Sequence, residues 1–334
     1  MKKFLRLLST ALIFTFLPFF TNDALSKPFY QGKVIKIIVC TKPGGGYDFY
    51  ARIMATYMKK YLPGSKIIVK NIPGAGQVIG ANAIYMAKPD GLTFGVLNRA
   101  IGMSQVAGIK GAKFDLTRMS WLGSAASEIT ALMVNAEKFK TLEDVLKTEN
   151  MRMVTGGVGT VAYATTLLFY KMIGQNNYTI GTGYSGGEIE LSIMRGAMDG
   201  HFGAFQSRQV MIKEGYGRVL LFIGEEKPPG HENVPFIQDI VKDKKHKQLI
   251  DLLNGFNVLG KPIAGPPNIP EDRLDILRDA FTKTFRDPEL LRDAKRANRP
   301  INLINYKKCE AYAKGLMELP PDVVDSVKSV FTKK

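Results

Sequence analysis

The chain has 334 residues, 45% of them apolar, and a formal net charge of +16. That length suits two α/β units with real interiors, and the composition excludes a disordered or collagen-like chain. The positive balance mildly favours anionic ligands without identifying one.

Residues 1–26 read as an export signal. Lys2, Lys3 and Arg6 precede an apolar stretch over 7–20, and Ala24-Leu25-Ser26 offers small residues for cleavage near Ser26. The apolar run is short for a bilayer span, and no later stretch is long and apolar enough. The expectation is an exported, periplasmic chain of net charge near +14, for which nucleic acid is not a partner. Its densest basic run, Lys242, Lys244, Lys245 and Lys247, reads as a solvated helix face. Cys40 and Cys309 lie far apart in sequence. An oxidising compartment permits a bridge between them, but the spacing leaves pairing open, and Cys40 reads as a packed thiol at a strand end.

The mature chain opens with a strand over 35–40, the loop "TKPGGGYD", and an amphipathic helix with Phe49, Ile53, Met54, Tyr57, Met58 and Tyr61 on one stripe. Pro63-Gly64 ends that helix. A strand over 66–69, the loop "NIPGAG" and a small-residue helix over 77–86 follow, and "KPDGLT" turns the chain into a strand over 94–97. The same grammar returns later: strand 151–155, loop "GGVGT", helix 161–173, then strand 178–181, loop "GYSGG", helix 188–194. Repeated strand, loop and helix mean parallel sheets with crossover helices. An extended Pro-rich connection over 262–270 leads to a helical, charged end.

Three chemistries can be weighed against these loops. "GAGQVIG" (74–80) has the glycine spacing of a dinucleotide loop, but Pro73 disturbs the turn and no acidic residue follows at the ribose position. A nucleotide-binding Gly-Lys-Ser/Thr is absent from every joint. "GYSGG" is a literal G-x-S-x-G between a strand and a helix, so a serine esterase using Ser185, with Asp239 and His246 in the right order, is the alternative reading. His246 stands in the charged "KDKKHKQ", and no oxyanion segment accompanies it. The three histidines, His201, His231 and His246, and the two cysteines lack metal-ligand spacing. Trp121 reads as packing.

What remains is four glycine-rich loops joining strand ends to helix N-termini. Such loops let backbone N–H groups face a ligand, and helix N-termini carry partial positive charge and unpaired donors. Two loops from each of two similar lobes, meeting at a cleft, make an anion site.

"IIVCTKPGGGYDFYARIMA" followed by "IIVKNIPGAGQVIGANAIYMAKPDGLTFGVL" resembles the substrate-binding proteins of tripartite tricarboxylate transporters, the Bug family. The later "GTGYSGGEIELSIMRGAMDG" and "GKPIAGPPNIPEDRLDILRDAF…DPELL" resemble that family's second-lobe and closing segments. The resemblance covers nearly the whole mature chain. It implies a two-lobed α/β periplasmic binding protein fold (type II-like), with parallel-rich sheets flanked by helices. Lobe 1 would be 27–124 and 261–334, and lobe 2 would be 125–260. Two crossing segments, near 122–134 and 256–263, would form the hinge of a Venus-flytrap closure.

The resemblance further implies a monomer that holds a small carboxylate, uses no cofactor or metal, catalyses no reaction, and meets a permease of large and small subunits. Carried over, Gly44, Gly45, Gly46 and Asp48 give the first binding loop, and Pro73, Gly74, Ala75 and Gly76 the second. Gly156, Gly157, Gly159 and Thr160, with Tyr184, Ser185 and Gly186, give the contacts from lobe 2. Asp199 matches a family aspartate expected to be structural. Gln77 replaces the usual glycine, Ala162-Tyr163 the usual His-Leu, and Cys40-Thr41-Lys42 a more apolar lead-in. Gln77 and Lys42 bear on which acid is selected. The role of Asp48 stays open between a helix cap and a ligand contact.

Overall fold

In the first strand, β1 (Val34–Val39), the residues Ile35, Ile37, Ile38 and Val39 are all buried, as they must be in a strand covered by helices on both faces. The computed structural model describes residues 28–332, so the export signal lies outside the described residues. Around β1 run β2 (Lys66–Asn71) and β3 (Thr93–Val96), both parallel to it. The helix Gly46–Met58 joins β1 to β2 and buries Met54, Tyr57 and Met58 of the stripe read from the sequence, with Tyr50 beside them.

The rest of the first sheet is antiparallel. β10 (Pro262–Gly265) pairs with β3 on one side and with β4 (Ser120–Ser124) on the other, and β11 (Ile304–Asn305) closes the edge beyond β4. The segment expected to be an extended connection over 262–270 therefore begins as a central strand. A short P-I-A-G run opened by proline carries little strand signal. Pro262 still serves, because only its carbonyl is used, accepting from Leu97 N–H at 2.9 Å.

The second sheet has the order β7 (Tyr178–Gly181), β6 (Met151–Val154), β8 (Gly200–Ala204), β5 (Thr130–Asn135), β9 (Gly217–Ile223). β6 is parallel to β7 and β8, and β5 is antiparallel to β8 and β9. Both sheets are thus mixed. The parallel strands β1, β2, β3, β6 and β7 are those whose strand, loop and helix units were legible; β8 and the antiparallel strands β4, β5, β9, β10 and β11 carry no such unit.

The chain passes between the sheets at 125–129 and at 259–261, and these two passages bond to each other. Ala125 N–H donates to Lys261 O at 3.1 Å and Lys261 N–H to Ala126 O at 3.2 Å, while Glu128 N–H donates to the carbonyl of Asn257, in the helix Lys247–Val258 that leads into the second passage, at 2.8 Å. The helix Pro321–Thr332 lies against the helix Val161–Met172 of the second sheet, where Lys171 Nζ donates to Ser326 Oγ at 2.9 Å. Its Val323, Val327 and Val330 join one apolar cluster with Ala164 and Leu168 of that helix and Ile84 and Met103 from the first sheet's side. No helix among the described residues is long and apolar enough to cross a membrane.

Candidate functional site

Four strand ends deliver four helices toward the space between the sheets. The helices begin at Gly46, Val78, Val161 and Gly186, with Gly45, Gln77, Thr160 and Ser185 as their N-caps. All four N-caps line one cavity of about 430 Å³. This size is within the range of about 300–1,000 Å³ typical of small-molecule pockets. Each helix start brings unpaired N–H donors and a partial positive charge, so the cavity is built to hold negative charge.

In the first loop, Gly45 and Gly46 line the cavity, while Gly44 and Asp48 do not. Asp48 is turned back into the protein. Its Oδ2 accepts from Gly44 N–H at 3.0 Å and Arg52 Nε at 2.8 Å, and its Oδ1 accepts from Asn71 Nδ2 at 2.9 Å. Burial alone would raise its carboxyl; Arg52, Gly44 and Asn71 outweigh that and hold it below the usual carboxylate range. Asp48 therefore fastens the loop to the end of β2. This is closer to the capping role than to ligand contact.

Pro73, Gly74, Ala75 and Gly76 all line the cavity, with Gln77 beside them. Gly76 has φ +61°, and a Cβ there would stand 2.1 Å from the Val158 carbonyl oxygen of the "GGVGT" loop. The loops of the two sheets thus touch, and only glycine permits it. Gly80, the last glycine of the dinucleotide-like spacing, has a different task. A Cβ there would meet Ile72 O at 2.6 Å and Cys40 Cα at 2.8 Å, so it lets the helix Val78–Tyr85 lie close on β1.

From the second sheet, Gly156 and Thr160 line the cavity, as do Tyr184, Ser185 and Gly186. The Thr160 hydroxyl caps its helix, accepting from Tyr163 N–H at 3.3 Å. Gly157 and Gly159 are off the lining. The Gly157 carbonyl accepts from Thr160, and the Gly159 carbonyl accepts from Asn98 Nδ2, at 3.1 Å, reaching over from β3. Ser185 sits at a helix start, its N–H donating to Glu188 Oε2 at 2.6 Å.

Among the described residues no histidine bonds Ser185. His201 Nδ1–H donates to the Val154 carbonyl at 2.7 Å, His231 packs edge-on against Phe205, and His246 belongs to the short turn Lys244–His246. In that region Lys242, Lys244, Lys245 and Lys247 are exposed, with only Lys247 in the helix proper. Burial, then Arg208 nearby, pushes the His201 imidazole down to about 3, so it is neutral at ordinary pH.

The charged residues of the site are the part that sequence reasoning missed. Arg99, Glu128, Lys261 and Arg208 all line the cavity. Glu128 and Lys261 stand on the two passages between the sheets and bond each other, Lys261 Nζ donating to Glu128 Oε1. Arg99 Nη1 lies 3.2 Å from Glu128 Oε2 and donates to Asn257 Oδ1 at 2.8 Å, while Nη2 donates to Thr130 Oγ1 at 3.0 Å. Burial raises the Glu128 carboxyl, but Lys261 and Arg99 together overcome this and hold it ionised. Burial lowers the Lys261 ammonium to about 8 against the pull of Glu128. Its Nζ also rests 4.6 Å from the centre of the Tyr47 ring. Arg99 and Arg208 each follow closely on the carboxyl end of a strand, β3 and β8. Ligands of open α/β sheets gather at such ends, which is the signal that could have found them.

Several polar atoms of the lining are buried without a protein partner: Thr41 Oγ1, Gln77 Oε1 and Arg208 Nε. Lys42 lies at the exposed rim of the same cavity. Asp199 is away from the site, nearly inaccessible, and held by Arg152 and Lys138. Cys40 and Cys309 are both free and buried, and burial pushes each thiol up to about 12. Among the described residues no cluster of three or more His, Cys, Asp or Glu is placed for a metal.

No protein-family model matches the chain. Protein BugT of Bordetella pertussis (strain Tohama I) is 39% identical over 64 residues, 19% of this chain and 19% of that one. The chain thus spans about a fifth of the length of the curated relatives it matches. The whole fold is shared more widely. The periplasmic binding protein BugD superposes with a TM-score of 0.73 at 16% identity, over 91% of this chain and 100% of that one. MatC from Rhodopseudomonas palustris, solved with bound malate, gives 0.72 at 18% identity, over 88% and 99%. The resemblance read from the sequence therefore stands in local sequence and in fold.

Proposed function

We propose, on the premise that this chain has the fold of the Bug-type binding proteins and shares part of their sequence, that it is a periplasmic solute-binding protein. It captures a small organic acid between two lobes, 27–124 with 261–334 and 125–260, closes on it, and hands it to a tripartite tricarboxylate-type permease of large and small subunits. The observation that carries this reading is the convergence of four helix N-caps, Gly45, Gln77, Thr160 and Ser185, on one cavity. Four such starts hold a carboxylate by backbone donors and dipoles. The malate bound to MatC supports the same ligand class, and the leader over 1–26 supports export.

The test is a thermal-shift screen of the mature chain against mono-, di- and tricarboxylates and aromatic acids. At 100 times its dissociation constant a ligand stabilises the native state by about 2.7 kcal/mol, a shift of several degrees. If no acid in the panel raises the melting temperature, the reading fails. The esterase alternative is met by an ester-hydrolysis assay of wild type beside Ser185→Ala.

A further inference from the structure

Parallel strands are normally covered on both faces, and at the β1–β2 edge of the first sheet that cover is incomplete. One face is closed: Ile35, Ile37 and Val39 lie in one apolar cluster with Tyr50, Met54 and Met58. Over the other face lies the helix Val78–Tyr85, about 12 Å long against roughly 20 Å for β1. Two close approaches fix its place. Gly80 lies on Cys40, and Ile84 lies on Gly95 beside the Ile38 carbonyl, so the helix descends from the carboxyl end of β1 and stops over its middle. Below it, the alternation that buries Ile38 leaves Lys36 half-buried and Val34 50% exposed. β2 is the last strand of the sheet and runs in register, Lys66 with Val34, Ile68 with Lys36 and Lys70 with Ile38. Ile68 is 38% exposed, and both lysines are exposed. Met86, 59% exposed, and Lys88 continue the descent toward β3, whose Thr93 is level with Lys36.

Three aliphatic side chains, Val34, Ile68 and Met86, thus stand in water among four ammonium groups, those of Lys36, Lys66, Lys70 and Lys88. None of the four lysines has an ion-pair partner among the described residues, and the strand positions of this face hold no acidic residue. The denser basic run of the second lobe differs, since Lys245 is paired with Asp243 and Lys247 with Asp251. Lysines by themselves are an ordinary protection of a sheet edge, but the aliphatic side chains between them add nothing to that protection. The face is an open sheet surface, and its ammonium groups are point charges without the paired donors that pick out single carboxylates. Such a surface matches spread negative charge with apolar material just beneath it. Lipid headgroups would take the ammonium groups, while the lysine stems and the aliphatic side chains reach the acyl boundary.

We infer that this face of β1 and β2, with the end of the helix Val78–Tyr85, is a docking surface for an anionic lipid bilayer. The inference is independent of what the cleft holds. None of these residues lines the cavity, which gathers at the carboxyl ends of the strands, whereas Val34 and Lys66 stand at the amino ends.

The experiment is co-sedimentation of the mature chain with phosphatidylcholine vesicles, with and without about one-third phosphatidylglycerol, at low and high salt. Wild type is expected to sediment with the anionic vesicles, less so at high salt, and not with the neutral ones. A lysine near an anionic surface is worth about five-fold in partition. Lys36→Gln, Lys66→Gln, Lys70→Gln and Lys88→Gln together should therefore lower binding by about 100-fold or more. The same loss of charge placed at Lys242, Lys244, Lys245 and Lys247 keeps the net charge of the two variants equal and should cost less than about 10-fold. Ile68→Ser with Met86→Ser should remove the part of binding that survives high salt. Thermal melts check that each variant is folded. A wild type that does not sediment with anionic vesicles overturns the inference, as do equal losses in the two four-lysine variants, which would mean that net charge alone acts. Retention of wild type on polyglutamate beads without vesicle binding also overturns it and assigns the face to an acidic protein instead.

Discussion

Gly76→Ala tests whether the contact between the loops is part of ligand capture. Two separate costs follow from the geometry. The first is local: at φ +61° an alanine sits in the left-handed region, which costs about 1–2 kcal/mol. It acts wherever the loop keeps its shape, with or without ligand, and so lowers the melting temperature of the free protein. The second exists only when the sheets approach as they do here. The new Cβ would lie 2.1 Å from the Val158 carbonyl oxygen, so the loops must separate by about 1 Å to restore an ordinary contact. Such a gap weakens every bond the cleft makes from both sides at once, and the expected loss of affinity is at least about 10-fold, or 1.4 kcal/mol. Gly44→Ala separates the two costs. Gly44 has φ +89° and nothing within 4 Å of the added carbon, so it carries strain without a clash. The assay is calorimetric titration with the acid that gives the largest shift in the screen. Gly76→Ala should lose affinity while Gly44→Ala loses only stability. Wild-type affinity in Gly76→Ala would refute the claim that capture brings these loops together.

Other substitutions follow from the same coordinates. Asp48→Ala removes the acceptor shared by Gly44, Arg52 and Asn71, and should cost about 2–4 kcal/mol in denaturant melts of the unliganded chain. Gly80→Ala drives a Cβ into Ile72 O and Cys40, which are backbone neighbours that cannot swing aside, for about 1–3 kcal/mol by the same measurement. His201 supplies a pH dependence. Its folded value of about 3 lies below the ordinary 6.5, so the unfolded chain takes up the proton more readily. Its contribution is complete above pH 6.5 and is lost as pH falls toward 3, amounting to about 2 kcal/mol by pH 5. His201→Asn should flatten the fall in stability between pH 7 and 5 relative to wild type; parallel curves would refute this.

The legible parts of the fold were those with local causes. The stripe of Tyr57 and Met58 shows the helix Gly46–Met58, and each glycine cluster shows a strand handing over to a helix. β10 and β11 were not legible because their partners are far away in sequence: Ile263 is a strand residue only because Val96 and Gly123 flank it. The site divides the same way. Loops that expose backbone N–H groups leave a glycine signature, so the two "PGGG" and "PGAG" joints and the "GGVGT" and "GYSGG" joints were found together. Single charged side chains leave at most a position just after a strand end, as Arg99 and Arg208 have. Glu128 stands in a passage between sheets, and Arg208 in the short helical turn after β8. Only the fold reveals that these residues face one another. Within the glycine clusters, Gly44, Gly157 and Gly159 shape the loops without lining the cavity.

The placement of β10 bears on the order in which the chain can be assembled. β3 and β4 are not neighbours; β10 is the strand that joins them. The second sheet draws all its strands from 130–223, whereas the first lacks its middle until residues 262–265 arrive. A chain emerging from its N-terminus therefore holds an open β3 edge while the whole second sheet is being made. Exposed strand edges invite wrong pairings. Until β10 arrives, that edge of the first sheet stays open to such pairing.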